Sequence, residues 1–175
     1  MTRPIAREGI LQRHVKLFVR DAVTAPHEFF AFDRAKATGK FSHMREAGRG
    51  VRKGTPDTLL LVLGHPPLFV ELKAPGGKPD AAQLAVGDAL RAVGCHWEWC
   101  TTVLSYCAIL AEMGVPMAGN AKVQAMQHDG AVASLIAQAE LKRGDAPKSY
   151  KAPPKAKPRY IATGKRAARM AGVGR

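Results

Sequence analysis

The chain has 175 residues, with 27 Lys/Arg against 14 Asp/Glu and a formal net charge of +13. That length holds one domain of ordinary size plus a tail. The charge points to a polyanionic partner, nucleic acid before any other, and a membrane surface is set aside because no long apolar span or basic amphipathic anchor accompanies it. The excess is uneven: residues 140–175 carry eleven Lys/Arg and two acids, +9, while residues 1–139 carry sixteen and twelve, +4. Cys95, Cys100 and Cys107 are odd in number and lack CxxC spacing, which excludes a disulfide scaffold and fits a reducing compartment. Buried thiols are expected, in preference to zinc held by Cys95, His96 and Cys100. No secretory signal pattern opens the sequence.

The first element reads as a helix over about residues 4–23, with Leu11, Val15, Phe18 and Ala22 at helical spacing. Residues 28–32 form a short apolar and aromatic strand. Residues 33–55 carry Arg34, Lys36, Lys40, Arg45, Arg49, Arg52 and Lys53 against Asp33 and Glu46 alone, with four glycines, and read as a basic loop. Two apolar runs follow, TLLLV and LFV, split by the turn Gly64-His65-Pro66-Pro67. Ala74-Pro75-Gly76-Gly77-Lys78-Pro79 stops the second strand. A helix begins at Asp80, runs to about residue 93 and is closed by Gly94. Residues 96–101 read as a strand, 102–113 as a helix, and a further helix lies near 132–142. From Asp145 the chain is Lys, Pro, Ala and Gly with little to bury, a disordered, solvated tail. The fold class is α/β: a mixed sheet of about four strands flanked by helices.

The functional signal sits on the hairpin. Pro56-Asp57 precedes the first strand and Glu71-Leu72-Lys73 ends the second. A turn near residue 65 would set Asp57 level with Lys73 and one pleat step from Glu71, and alternation puts all three on one face. Singly, each has an ordinary explanation: a turn aspartate after proline, charges at a strand end, Gln83 completing a capping box with Asp80, Glu8 as a first-turn acid. Jointly, they set two carboxylates side by side at the end of a buried hairpin. Two carboxylates so close repel, and a divalent cation is the usual remedy. Magnesium prefers hard oxygen ligands and keeps several waters, so Asp57, Glu71 and a backbone carbonyl such as that of Leu72 would make an open site.

In order, Gly54-Thr55-Pro56-Asp57, an apolar strand, Phe69-Val70-Glu71-Leu72-Lys73, Ala74-Pro75-Gly76-Gly77-Lys78, Gln83, Leu90 and Gly94 resemble the VRR-NUC (virus-type replication-repair nuclease) domain of the PD-(D/E)xK superfamily. The resemblance runs from about residue 8 to about residue 110. It implies a restriction-endonuclease-like core over residues 1–115; a helical extension over 116–144 and the basic tail over 145–175 lie outside it. It further implies Asp57 and Glu71 as metal ligands, Lys73 orienting or deprotonating the attacking water, Gln83 supporting the site and Glu8 supplying an acid from the first helix. Arg45, Arg49, Arg52, Lys53 and Lys78 would line the path of the phosphate backbone.

On this resemblance the expected activity is a Mg²⁺- or Mn²⁺-dependent, structure-specific endodeoxyribonuclease. Holliday junction resolution by a homodimer in the cytoplasm of a bacterial or phage-infected cell leads, with flap or nick cutting close behind. No base-reading module is present, and basic residues without one suit contacts to the backbone of branched DNA. A catalytically weak DNA-binding protein and a sequence-specific restriction-type nuclease are the competing classes.

Overall fold

A computed structural model describes residues 7–32 and 53–142. Among these the element order is α1 (Arg7–Ala22), β1 (His27–Ala31), β2 (Thr58–Val62), β3 (Leu68–Leu72), α2 (Ala81–Ala92), β4 (His96–Cys100), α3 (Val103–Glu112) and α4 (Ala121–Lys142). The strands form one sheet in the order β1-β2-β3-β4, antiparallel across the first two pairs and parallel across β3 and β4. This is the mixed α/β arrangement of about four strands that the sequence implies. Arg45, Arg49 and Arg52 in the basic loop, and the tail from residue 145, lie outside the described residues. No described helix is long and apolar enough to cross a membrane.

Alternation along the central strands decides which face is core. Leu60, Val62, Leu68, Val70 and Leu72 are buried against Leu11, Val15, Phe18, Val19 and Ala22 of α1, with Val103, Tyr106, Cys107 and Leu110 of α3 closing the layer. The α1 residues recur at three- and four-residue spacing, the stripe that turns one helix face inward. On the other face α2 lies across β4, where a Cβ at Gly87 would meet the Trp97 ring at 2.5 Å. Arg91, one turn on, sets its guanidinium 4.9 Å from the centre of that ring and donates to the Trp97 carbonyl at 2.8 Å.

The hairpin turns one residue earlier in its register than expected. His65 N–H donates to the Val62 carbonyl at 3.0 Å and Gly64 takes a φ of +80°. The tight turn thus closes before Pro66 and Pro67, which lead into β3. Thr58 pairs with Val70 and Leu60 with Leu68. One step further along this register Asp57 faces Glu71, not Lys73, and Lys73 lies one pleat step beyond.

The last helix is also longer than the expected 132–142. It starts at Ala121 and runs through Gly130 for 22 residues, because tertiary contacts outweigh the glycine's propensity cost. Ala121 and Ala125 enter the core, and Asp129 accepts from the N–H groups of Val103 at 2.7 Å and Leu104 at 3.0 Å, capping α3 from outside. Arg7 of α1 pairs with Glu140. Residues 116–142 therefore build on α1 and α3, within the compact unit Met1–Gly144.

Two predictions follow from this packing. Gly87→Ala should destabilise the fold by about 1–3 kcal/mol through overpacking against Trp97, read as a lower denaturation midpoint at unchanged slope. The second concerns His14, buried on α1, whose Nδ1 lies 3.0 Å from Nδ1 of His128 on α4. Burial, then the charges of His128 and Arg13, push the His14 pKa below 6.5, with Asp129 opposing; Asp21 also faces His128. A depressed folded pKa means that this contribution is complete above about pH 6.5 and is lost as pH falls through the folded value. Stability should decline as pH falls below about 7, and His14→Gln should flatten that decline, as denaturant midpoints at successive pH values would reveal.

Candidate active site

The open end of the sheet gathers the hairpin motifs. Asp57 ends the loop into β2, and its Oδ2 accepts from the Leu72 N–H at 2.8 Å, so the carboxylate is fastened to the β3 backbone beside Glu71. Gln12 Nε2 and the Phe32 N–H both donate to the Asp57 carbonyl, at 3.2 and 2.7 Å. The α1 helix and β1 thereby hold the Asp57 backbone from two sides.

Glu71 is buried at 2% exposure, a costly place for a carboxylate unless it is paired and hydrogen-bonded. Its Oε1 accepts from Lys73 Nζ at 2.6 Å and from Gln83 Nε2. The Gln83 amide has one orientation that satisfies both ends. Its Oε1 accepts from the Asp80 N–H at 2.8 Å, while Asp80 Oδ1 accepts from the Gln83 N–H at 2.9 Å. The capping box and the grip on Glu71 thus belong to one side chain. The Asp80 carboxyl is held below its usual range, chiefly by the Gln83 N–H, with the charges of Lys53 and Lys73 adding to the effect.

The donor set suits a hard divalent cation. Lys73 N–H donates to the Cys100 carbonyl at 2.9 Å, so the trans peptide turns the Leu72 carbonyl the opposite way, toward the Asp57 side. Two carboxylates and that carbonyl are oxygen donors of the kind magnesium or manganese accepts, with coordination positions left for water. Among the described residues no group of three or more His, Cys, Asp or Glu side chains is placed to hold a metal; the carboxylates of this site number two. Cys95, Cys100 and Cys107 are free, and burial pushes the Cys100 thiol up to about 12, leaving it unreactive.

The structure brings Asp57, Glu71, Lys73 and Gln83 together. Glu8 is exposed in the first turn of α1. From the same helix Gln12, one turn on, donates to the Asp57 carbonyl. Gln12 belongs to no sequence motif; its one signal is its helical spacing from Glu8 on the face beside Leu11. Lys53 and Lys78 are exposed.

Gly54 explains how the Asp57 segment seats. Its φ is +91°, and a Cβ there would overlap the Ala82 carbonyl and stand 3.0 Å from the Gln83 nitrogen. The loop therefore rests directly on the first turn of α2, the turn that carries Gln83. Gly54→Ala is expected to cost about 2 kcal/mol or more, from the positive φ and the clash together. Gly64 has a φ of +80° and nothing within 4 Å of its Cβ position, so Gly64→Ala should cost only about 1 kcal/mol. Equal losses in chemical denaturation would mean that the close approach at Gly54 contributes nothing.

Among solved structures, the chain is similar to one described as a VRR_NUC domain, with a TM-score of 0.43 and 20% identity over 61% of this chain and 95% of that one. No protein-family model and no curated protein matches the chain.

Proposed function

We propose that this protein is a divalent-metal-dependent endonuclease hydrolysing DNA phosphodiesters, acting on branched DNA by its shape. One observation carries the reading: Glu71 Oε1 is gripped by both Lys73 and Gln83 on the strand facing Asp57, whose own carboxylate is tied to Leu72. The arrangement matches the motif order that resembles VRR-NUC domains. It also meets the needs of the chemistry, namely a water made nucleophilic near neutral pH and compensation for charge growing on the phosphate.

Mg²⁺ or Mn²⁺ held by Asp57, Glu71 and the Leu72 carbonyl would supply a lowered water pKa and Lewis-acid charge. Lys73 supplies a compact ammonium on a flexible stem, suited to orienting the attacking water or moving a proton, which an arginine could not do. Gln83 keeps Glu71 in place while Lys73 exchanges partners. Lys53, Lys78, Arg45, Arg49 and Arg52 would contact the phosphate backbone, which fixes position without reading sequence. Among the described residues each chain has one such centre, so symmetrical cutting of a Holliday junction would need a homodimer; flap or nick cutting would need one copy.

Lys73→Ala should reduce cleavage by about 10²-fold or more while leaving DNA affinity largely intact. The measurement compares four-way junction, flap, linear duplex and single strand, each with Mg²⁺, Mn²⁺ or chelator. Cutting by the mutant at the wild-type rate would remove Lys73 from the mechanism. Failure of the wild type to cut any of the four with either metal would leave a DNA-binding module.

A further inference from the structure

The carboxylates do not stand alone in their row. Phe32 donates its N–H to the Asp57 carbonyl at 2.7 Å, extending the β1–β2 register that pairs Phe30 with Leu59. Asp57 faces Glu71 by the β2–β3 register, and Glu71 is paired with Trp99 on the parallel strand β4. The row across the sheet therefore reads Phe32, Asp57, Glu71, Trp99.

Both aromatic ends of the row point to the carboxylates' face and are open. Phe29 packs against the core, so alternation turns Phe30 and Phe32 the other way. Trp97 lies under Gly87 of α2, on the face where Gln83 reaches Glu71, and Trp99, two residues on, shares that face. The helix covers Trp97 to 2% exposure, but Trp99 stands at 39% and Phe32 at 37%. Strands are about 4.8 Å apart, so the two rings flank the carboxylates across a row of about 14 Å.

We propose that Trp99 and Phe32 are stacking platforms for unstacked nucleobases on either side of the place where a phosphate would meet the cation held by Asp57 and Glu71. In an intact duplex the bases sit at about 3.4 Å and offer their faces only to one another. A protein ring reaches a base face only where the stack is broken, as at a flap, a junction centre, a frayed end or a single strand. Base–aromatic stacking is tolerant of sequence, in keeping with a chain that lacks a base-reading module. The proposal rests on the nuclease reading for the place of the phosphate; stacking itself needs no cleavage.

The experiment measures binding of the full chain to labelled oligothymidylate and to duplex DNA in chelator, where no metal-dependent cutting occurs. The single strand should quench tryptophan fluorescence, and Trp99→Phe should remove most of the quench, since the other tryptophan, Trp97, is buried. Trp99→Ala and Phe32→Ala should each weaken single-strand binding on the order of ten-fold, with duplex affinity unchanged. Trp99→Phe should keep most of the affinity, which separates stacking from loss of fold. Wild-type single-strand affinity in Trp99→Ala, or an equal loss on duplex, overturns the proposal. If the wild type cuts nothing with Mg²⁺ or Mn²⁺ yet Trp99→Ala loses single-strand binding, the nuclease reading falls and the platforms stand. Cutting with no aromatic effect on binding gives the converse.

Discussion

The site depends on a carboxylate buried where water barely reaches it. Glu71 sits at the end of a central strand with a hydrophobic layer behind it, and burial there costs several kcal/mol unless charge and hydrogen bonds offset it. Lys73 contributes the charge and Gln83 the directed N–H. Each partner brings its own element: Lys73 leaves β3 toward Cys100 of β4, and Gln83 belongs to the first turn of α2. Three elements are thereby fixed relative to one side chain, and the Asp57 loop rests against the same helical turn through Gly54. Stability and the proposed site share parts here, so a change that loosens α2 at its start reaches the carboxylates directly.

That sharing also resolves two readings of Gln83 that compete at the level of sequence. A glutamine three residues after an N-cap aspartate is an ordinary capping box, and a glutamine after an acidic strand end can equally support a site. The amide has two ends, and the structure uses them separately: Oε1 takes the Asp80 N–H, and Nε2 faces Glu71. Capping therefore orients the amide for the carboxylate, because reversing it would set oxygen against oxygen.

How far the sequence carried follows from which interactions are local. The order of elements and the stop signals were legible because they are written in periodicity and turn chemistry. Gly94, with a φ of +84°, closes α2 through bonds from Gly94 to Arg91 and from Cys95 to Leu90, a motif that a glycine after an apolar helix announces. The one-residue difference in hairpin register comes from centring the turn near residue 65, when the His65 N–H closes it earlier on the Val62 carbonyl. The start of α4 was hidden for a different reason. Ala121 and Ala125 are weakly apolar and Gly130 interrupts the pattern, so the helix is specified by its contacts with α1 and α3, which sequence spacing does not display. Gln12 was missed likewise, since its partner is a backbone carbonyl 45 residues away.

The register correction matters to function. With Asp57 level with Lys73, the acids would sit diagonally and a lysine would take the place beside Asp57 in the row. With Asp57 level with Glu71, the acids face each other and the same row runs outward to Phe32 and Trp99. Lys73, one pleat step further, stands beyond the acids at the open end of the sheet, where its ammonium can hold Glu71 or turn to an arriving phosphate. A shift of one residue in the turn thus converts a general cluster of charges into an ordered line: aromatic, carboxylate, carboxylate, aromatic, with the ammonium at its outer side. If the proposed platforms hold, a single opened strand would lie along the sheet end, its phosphate meeting a cation held by the acids and its bases turned to the rings.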